Sequence, residues 1–211
     1  MSSDHSQYAL AIHTSSPELG LALSNFTGEI RSQSWNLGRD LSVQLHQYLA
    51  EFIQPQTWSD LKFITVAKGP GSFTGTRMGV VTARILAQQL DIPLFSISTL
   101  AGMAWQIFQK DSTLSENLAL QMPAQRNQFF VAIYSKQDNL IECLPDSVMS
   151  LETWQKTLET WQNPYKLVQL EGGFGDSAIS LLELANIDFK QEKYPHWSEA
   201  LPFYGQHPVD N

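Results

Sequence analysis

Residues 68–77 read Lys68-Gly69-Pro70-Gly71-Ser72-Phe73-Thr74-Gly75-Thr76-Arg77. Three glycines and a proline in so short a stretch permit positive φ and close backbone approach, so the chain must turn tightly here. The run before it, Phe63 to Ala67, is short and apolar and reads as a buried strand. The run after it, Gly79 to Leu90, has helical spacing, and Ser72 or Thr74 can cap that helix. A strand, glycine turn and helix in this order presents backbone N–H groups and a helix N-terminus, which together can bind an anion. The common phosphate spacings are not met. A Walker A loop needs Gly, four residues, then Gly-Lys-Ser/Thr, and a dinucleotide fingerprint counted from Gly69 places its third glycine at Thr74. A plain tight connection and an anion site both remain open on the residues alone.

The flanking segments give an α/β chain with a mixed sheet. Tyr8 to His13 is apolar and stopped by Thr14-Ser15-Ser16-Pro17. Leu19 to Ser24 and Glu29 to Trp35 read as two further strands, with a turn at Phe26-Thr27-Gly28. Leu41 to Ile53 reads as a helix ended by Pro55. Its apolar arc is wide, with Leu41, Leu45, Tyr48 and Phe52 at i, i+4, i+7 and i+11, and Leu49 and Ile53 beside them. In the helix after the glycine turn, Gly79, Ala83, Leu86 and Leu90 share one face. Met78, Val81 and Ile85 share another, about 120° away at 100° per residue. The small residues of the first face suit close packing on a sheet. The second stripe needs a partner, either a neighbouring helix of the same chain or another subunit.

Ile92 to Ile97 reads as a strand and Ser98 as the cap of a helix to Lys110. The polar stretch Asp111 to Glu116 divides the chain into a lobe over 1–111 and a smaller one over 112–211. In the second, Leu118 to Met122, Gln128 to Ser135 and Lys166 to Leu170 read as strands. Leu151 to Trp161 and Asp176 to Asn186 read as helices, with a turn at Gly172-Gly173. The last 25 or so residues carry three prolines and no periodicity, and are expected to drape over the surface.

Charge narrows the function classes. With 13 basic and 21 acidic side chains the net charge is −8, which argues against direct binding to nucleic acid, where a basic footprint is the rule. The single cysteine, Cys143, excludes an internal disulfide and fits a reducing compartment. Met1 to Gln7 is polar and no apolar run approaches the roughly 18 residues of a membrane span, so a cytoplasmic protein without a membrane partner is expected. Asn25-Phe26-Thr27 matches a glycosylation sequon and is read as a turn. Trp154 and Trp161, seven apart, share a helix face and are read as core; a stacking platform of these two with Trp197 is disfavoured by the net charge.

The string Gly69-Pro-Gly-Ser-Phe-Thr-Gly75, followed by Thr76-Arg77-Met78-Gly79, together with Ala9-Leu-Ala-Ile-His-Thr-Ser-Ser16, resembles the TsaB (YeaZ) family over about the first half of the chain. The resemblance implies the actin-like fold (ASKHA, ribonuclease H-like), with mixed sheets and flanking helices in two small lobes. It implies a non-catalytic subunit that binds TsaD and, through it, the ATPase TsaE. Their complex forms N6-threonylcarbamoyladenosine at position 37 of tRNAs reading codons that start with A. The chain would meet tRNA only through that complex, and would pair with itself when TsaD is absent. On this reading the two first-lobe helices form the interface, with Leu41, Leu45, Tyr48, Phe52, Met78, Val81 and Ile85 as its residues. The glycine turn is Gly69, Gly71, Ser72, Thr74 and Gly75.

Departures from the family pattern bear on chemistry. Where relatives carry an acidic residue on the first strand this chain has His13, a poor Mg²⁺ ligand, so no intrinsic ATPase is expected. His13 is read as a hydrogen-bonded residue at a strand end. Asp40 and Pro123 also replace the family's usual residues. His5, His13, His46, His196 and His207 include no i, i+4 pair of the kind by which TsaD holds its metal, so no metal site or cofactor is expected. Ser72 lies in no Gly-x-Ser-x-Gly elbow, so a protease reading has no nucleophile and no catalytic residues are assigned. Two alternatives stand beside the scaffold reading: an actin-like small-molecule kinase, and a degenerate homodimer with a separate role.

Overall fold

The computed structural model describes residues 8–203 and 205; Met1 to Gln7 and the extreme C-terminus lie outside the described residues. The elements in chain order are β1 (Tyr8–His13), β2 (Glu18–Ser24), β3 (Ile30–Asn36), α1 (Leu41–Phe52), β4 (Leu61–Ala67), α2 (Phe73–Leu90), β5 (Leu94–Ile97), α3 (Thr99–Lys110), β6 (Asn117–Pro123), β7 (Gln128–Lys136), β8 (Leu140–Ser150), α4 (Leu151–Glu159), β9 (Tyr165–Gln169) and α5 (Ala178–Lys190).

The first sheet has strand order β3-β2-β1-β4-β5. β1 pairs antiparallel with β2 and parallel with β4; β2 pairs antiparallel with β3, and β4 parallel with β5, so β2 alone runs against the others. This is the mixed sheet that the resemblance to the actin-like superfamily implies. Side-chain size differs between its two faces. Leu10, Ile12, Leu21, Leu23, Ile64 and Val66 point to one side and pack with α1 and α2. Ala9, Ala11, Ala22 and Ala67 point to the other, where they let α5 approach through Ala178, Leu181, Leu182 and Ala185, while Phe63 and Phe95 on the same face pack against Phe189 near the end of that helix.

The second sheet has order β8-β7-β6-β9, with β9 parallel to β6. α3 covers one side of it through Leu100, Met103, Ala104 and Phe108, and α4 the other through Trp154 and Leu158. The strands thus divide at the 111/112 boundary and the helices do not. α3, from the first half of the sequence, lies on the second sheet, and α5, from the second half, lies on the first. The two helices also meet each other, where Trp105 Nε1 donates to Glu183 Oε2 at 2.6 Å and Gly102 leaves room for Leu181.

Three sequence expectations need correction. α2 begins at Phe73, not Gly79, because Ser72 caps it inside the glycine string. β8 has no counterpart in the sequence reading. It is a half-exposed edge strand with Pro145 beside a register shift opposite Ala132, and both features erase strand periodicity. The C-terminal segment does not merely drape. Pro195 O accepts from Leu94 N, Trp197 packs on the first core, Ala200 is buried, and Phe203 N–H donates to Lys68 O at 2.7 Å.

Candidate functional site

The glycine turn is closed by its neighbours. Ser72 N–H donates to Ser15 O at 2.7 Å, Ser72 Oγ accepts from Gly75 N–H at 3.2 Å, and Thr14 Oγ1 donates to Gly75 O at 2.7 Å. A Cβ at Gly71 would overlap Ser15, and one at Gly75 or Gly79 would overlap Thr14. The β1–β2 loop therefore occupies the space that the glycines open. On the other side, Gly69 O accepts from Thr99 N–H at 2.8 Å, and Phe203 lies against Gly69. Of the predicted turn residues, Gly69, Gly71 and Gly75 serve close backbone packing and Ser72 the helix cap. Thr74 is exposed in the first turn of α2.

His13 lies at the end of β1, fully buried, with its ring 6.4 Å from that of Phe174. Neither ring nitrogen has a hydrogen-bond partner among the described residues, which corrects the expectation of a hydrogen-bonded histidine. Burial alone lowers its pKa to about 3, so the imidazole is neutral at physiological pH. A second buried polar pair joins neighbouring strands of the second sheet. Tyr134 OH, on β7, donates to Asp146 Oδ1, on β8, at 3.0 Å. Burial raises the Asp146 pKa, while Ser98, Tyr134 and the Lys68 charge oppose that shift. No group of three or more His, Cys, Asp or Glu among the described residues is placed to hold a metal ion.

The seven predicted interface residues separate into three sets. Leu41 and Leu45 belong to the core beneath α1, and Leu45, with 0% exposure, presents nothing to a partner; for these two the interface expectation is corrected. A wide apolar arc places its central residues inward, and the sequence spacing alone could not separate centre from flank. Tyr48 and Phe52 lie on the flank of α1 facing β3, half-buried, with ring centroids 4.7 Å and 6.0 Å from that of Trp35. With Arg31 and Glu51 they line a groove of about 630 Å³ on that side. Met78 is half-buried against the first core, whereas Val81 and Ile85 are 53% and 55% exposed.

Two further residues extend this exposed set. Phe73, 48% exposed, precedes Arg77, Val81 and Ile85 at spacings of four, and Val43 on α1 is 79% exposed. The signal for Phe73 was in the sequence: with Ser72 as the cap, Phe73 becomes the first helical residue and falls on the same stripe. Between α1 and α2 an apolar groove of about 270 Å³ is lined by His46, Leu49, Trp58, Thr82, Ile85 and Leu86. The helix pair thus presents aliphatic side chains around a shallow apolar groove, a surface that suits protein contact better than catalysis.

Comparison with known proteins agrees with this geometry. A family model described as "TsaD: tRNA N6-adenosine threonylcarbamoyltransferase" matches residues 38–185. The tRNA threonylcarbamoyladenosine biosynthesis protein TsaB of Bacillus subtilis is 35% identical over 161 residues, which is 74% of this chain and 67% of that protein. TsaB of Buchnera aphidicola subsp. Acyrthosiphon pisum is 27% identical over 151 residues, 69% of this chain and 64% of that protein. The alignments therefore span about two thirds of the length of these relatives. A solved structure, YeaZ from Pseudomonas aeruginosa, shares the fold with a TM-score of 0.77 at 22% identity, covering 93% of this chain and 100% of that one. The glycine turn closed by its own β1–β2 loop, the two-lobed fold and the relatives agree, and the chain belongs to the TsaB (YeaZ) family.

Proposed function

We propose that this chain is a non-catalytic subunit in the formation of N6-threonylcarbamoyladenosine on tRNA, and that it acts by binding TsaD, and TsaE through that complex, with the α1/α2 face. The observation that carries the reading is the exposed aliphatic stripe of α2, Val81 and Ile85 beside the groove at Leu49 and Leu86. An apolar face that the chain's own core leaves uncovered costs solubility unless a partner covers it. The family membership supports TsaD as that partner: the relatives carry the biosynthesis name, and the matching family model describes the transferase. The chain's contribution is to favour a competent arrangement of the transferase by binding it preferentially.

A neutral, buried His13 where a Mg²⁺ carboxylate would be needed, and a glycine turn filled by Thr14 and Ser15, favour this reading over a small-molecule kinase. The test is co-purification with TsaD of the same organism, followed by sedimentation of the mixture and of each protein alone. A heterodimer is expected, and Ile85→Glu should weaken it at least tenfold while leaving the thermal midpoint of the isolated chain within a few degrees. No complex with the unmodified chain, or equal affinity for the Ile85→Glu variant, refutes the reading.

A further inference from the structure

The C-terminal segment holds both lobes at once. On the first lobe, Pro195 O accepts from Leu94 N–H at 3.2 Å, on the edge strand β5. Trp197 packs on the first core, and its ring lies 6.0 Å from the Arg84 guanidinium of α2. Ala200 is buried in the same core, and Phe203 N–H donates to Lys68 O at 2.7 Å. Lys68 opens the glycine string. Its own N–H donates to Ile97 O at 2.8 Å, and the chain from it runs directly to Ser72, the cap of α2.

On the second lobe the same segment meets β7 and β8. The Phe203 ring stands edge to face with that of Phe130, at 6.5 Å between centroids and 64° between planes. Gly205 has φ +63, and a Cβ there would overlap both Phe130 and Val148, which are direct cross-strand neighbours. Glycine permits that left-handed backbone and lets it lie against the sheet. Phe203 thus has its backbone bound to the first lobe and its ring bound to the second. A shift of the second sheet is passed through this one residue to Lys68.

We infer that the segment from Pro195 to Phe203, with Gly205, is a strap that couples the position of the second sheet to the start of α2. An edge-to-face aromatic contact changes a local opening equilibrium about fivefold, which is the size of the coupling expected. α3 also reaches the turn, where Thr99 N–H donates to Gly69 O, so the strap must be tested by removing its own contact. On the interface reading above, on which this last step rests, a partner that holds α2 in place also favours the docked strap, because coupling between two sites is reciprocal.

The experiment is amide hydrogen exchange of the full chain, read peptide by peptide by mass spectrometry. Phe130→Ala alters only the second sheet, yet exchange at Lys68 and Phe203 should quicken about fivefold. Phe203→Ala should quicken exchange at Lys68 and at Val148, and the double variant should add little to either single one. Leu201→Ala, at a residue 62% exposed in the same segment, should change none of these. Gly205→Val supplies the same readout from the strap side if Phe130→Ala loosens the whole second core. The inference is overturned if Phe130→Ala quickens only the second sheet and Gly205→Val leaves Lys68 unchanged, or if the double variant is additive. Saturating TsaD of the same organism should slow exchange at Phe203 about fivefold. A complex without that protection overturns the link to the partner face. Failure to form a complex removes the interface reading instead, and leaves the isolated chain to decide whether the strap couples the lobes.

Discussion

Replacing His13 with leucine should remove most of the acid sensitivity that this one residue imposes on the fold. The ordinary histidine pKa near 6.5 describes the unfolded chain, and burial lowers it to about 3 in the folded one. Between those values the unfolded state holds a proton that the folded state cannot accept. Stability is therefore fully present above about pH 6.5 and is lost as pH falls toward 3, at about 1.4 kcal/mol per pH unit. At about pH 5 the loss is about 2 kcal/mol, a large fraction of a typical folding free energy.

Leucine is comparable in size and can pack against Phe174, and it removes two ring nitrogens that have no partner among the described residues. His13→Leu should accordingly match or exceed the unmodified chain by about 1 kcal/mol near neutral pH. Its advantage should widen to about 3 kcal/mol at about pH 5. Urea unfolding from about pH 7.5 to about pH 4.5 reads this directly, because the other titrating groups are common to both proteins and cancel in the difference. A difference curve that stays flat across that range refutes a buried neutral His13.

Three further outcomes follow from the packing. Gly79→Ala, whose Cβ would overlap Thr14 Oγ1, should cost about 2 kcal/mol despite the better helix propensity of alanine, since Thr14 cannot turn aside without losing its bond to Gly75 O. Thermal unfolding measures it, and an unchanged midpoint would mean that the loop shifts freely. Leu45→Ala should cost about 3 kcal/mol, as a fully buried core truncation, while Val81→Asp on the exposed stripe should cost less than about 1 kcal/mol. Equal losses in urea would contradict the assignment of core and surface along these helices. Asp146→Asn should make the protein relatively more stable at neutral than at acid pH. The raised folded pKa of Asp146 means that its contribution is fully present below about pH 4 and is lost as pH rises through the folded value, and asparagine keeps an acceptor for Tyr134. The pH dependence of the urea midpoint tests it.

What could be read from the sequence follows the physics of each signal. β1 matches its predicted bounds from Tyr8 to His13 because an apolar run buried on both faces has a polar stop after it. α3 starts after Ser98 because that hydroxyl accepts from Ala101 N–H, an interaction local in sequence. Signals of longer range were illegible. Nothing near His13 indicates that Phe174 closes over it, and nothing in α5 indicates that it crosses to the first sheet, since both depend on contacts between residues far apart in the sequence. The exposed stripe of α2 falls between these cases. Val81 and Ile85 stood out by spacing, but only the fold separates them from Leu41 and Leu45, which obey the same helical period and point inward.

The glycine turn links these observations. An anion cradle needs free N–H donors and open space, yet Ser72 N–H is bound to Ser15 O, Gly75 N–H to Ser72 Oγ, and the Cβ positions of Gly71, Gly75 and Gly79 are filled by Thr14 and Ser15. The same glycines instead allow the β1–β2 loop to seat against the first two turns of α2. That contact sets where α2 begins and how it is rotated about its axis, and so decides that Phe73, Val81 and Ile85 face outward. A string that elsewhere would suggest nucleotide chemistry here fixes the orientation of a helix. A change such as Gly79→Ala should then weaken partner binding in the fraction that remains folded, without altering any residue of the exposed stripe.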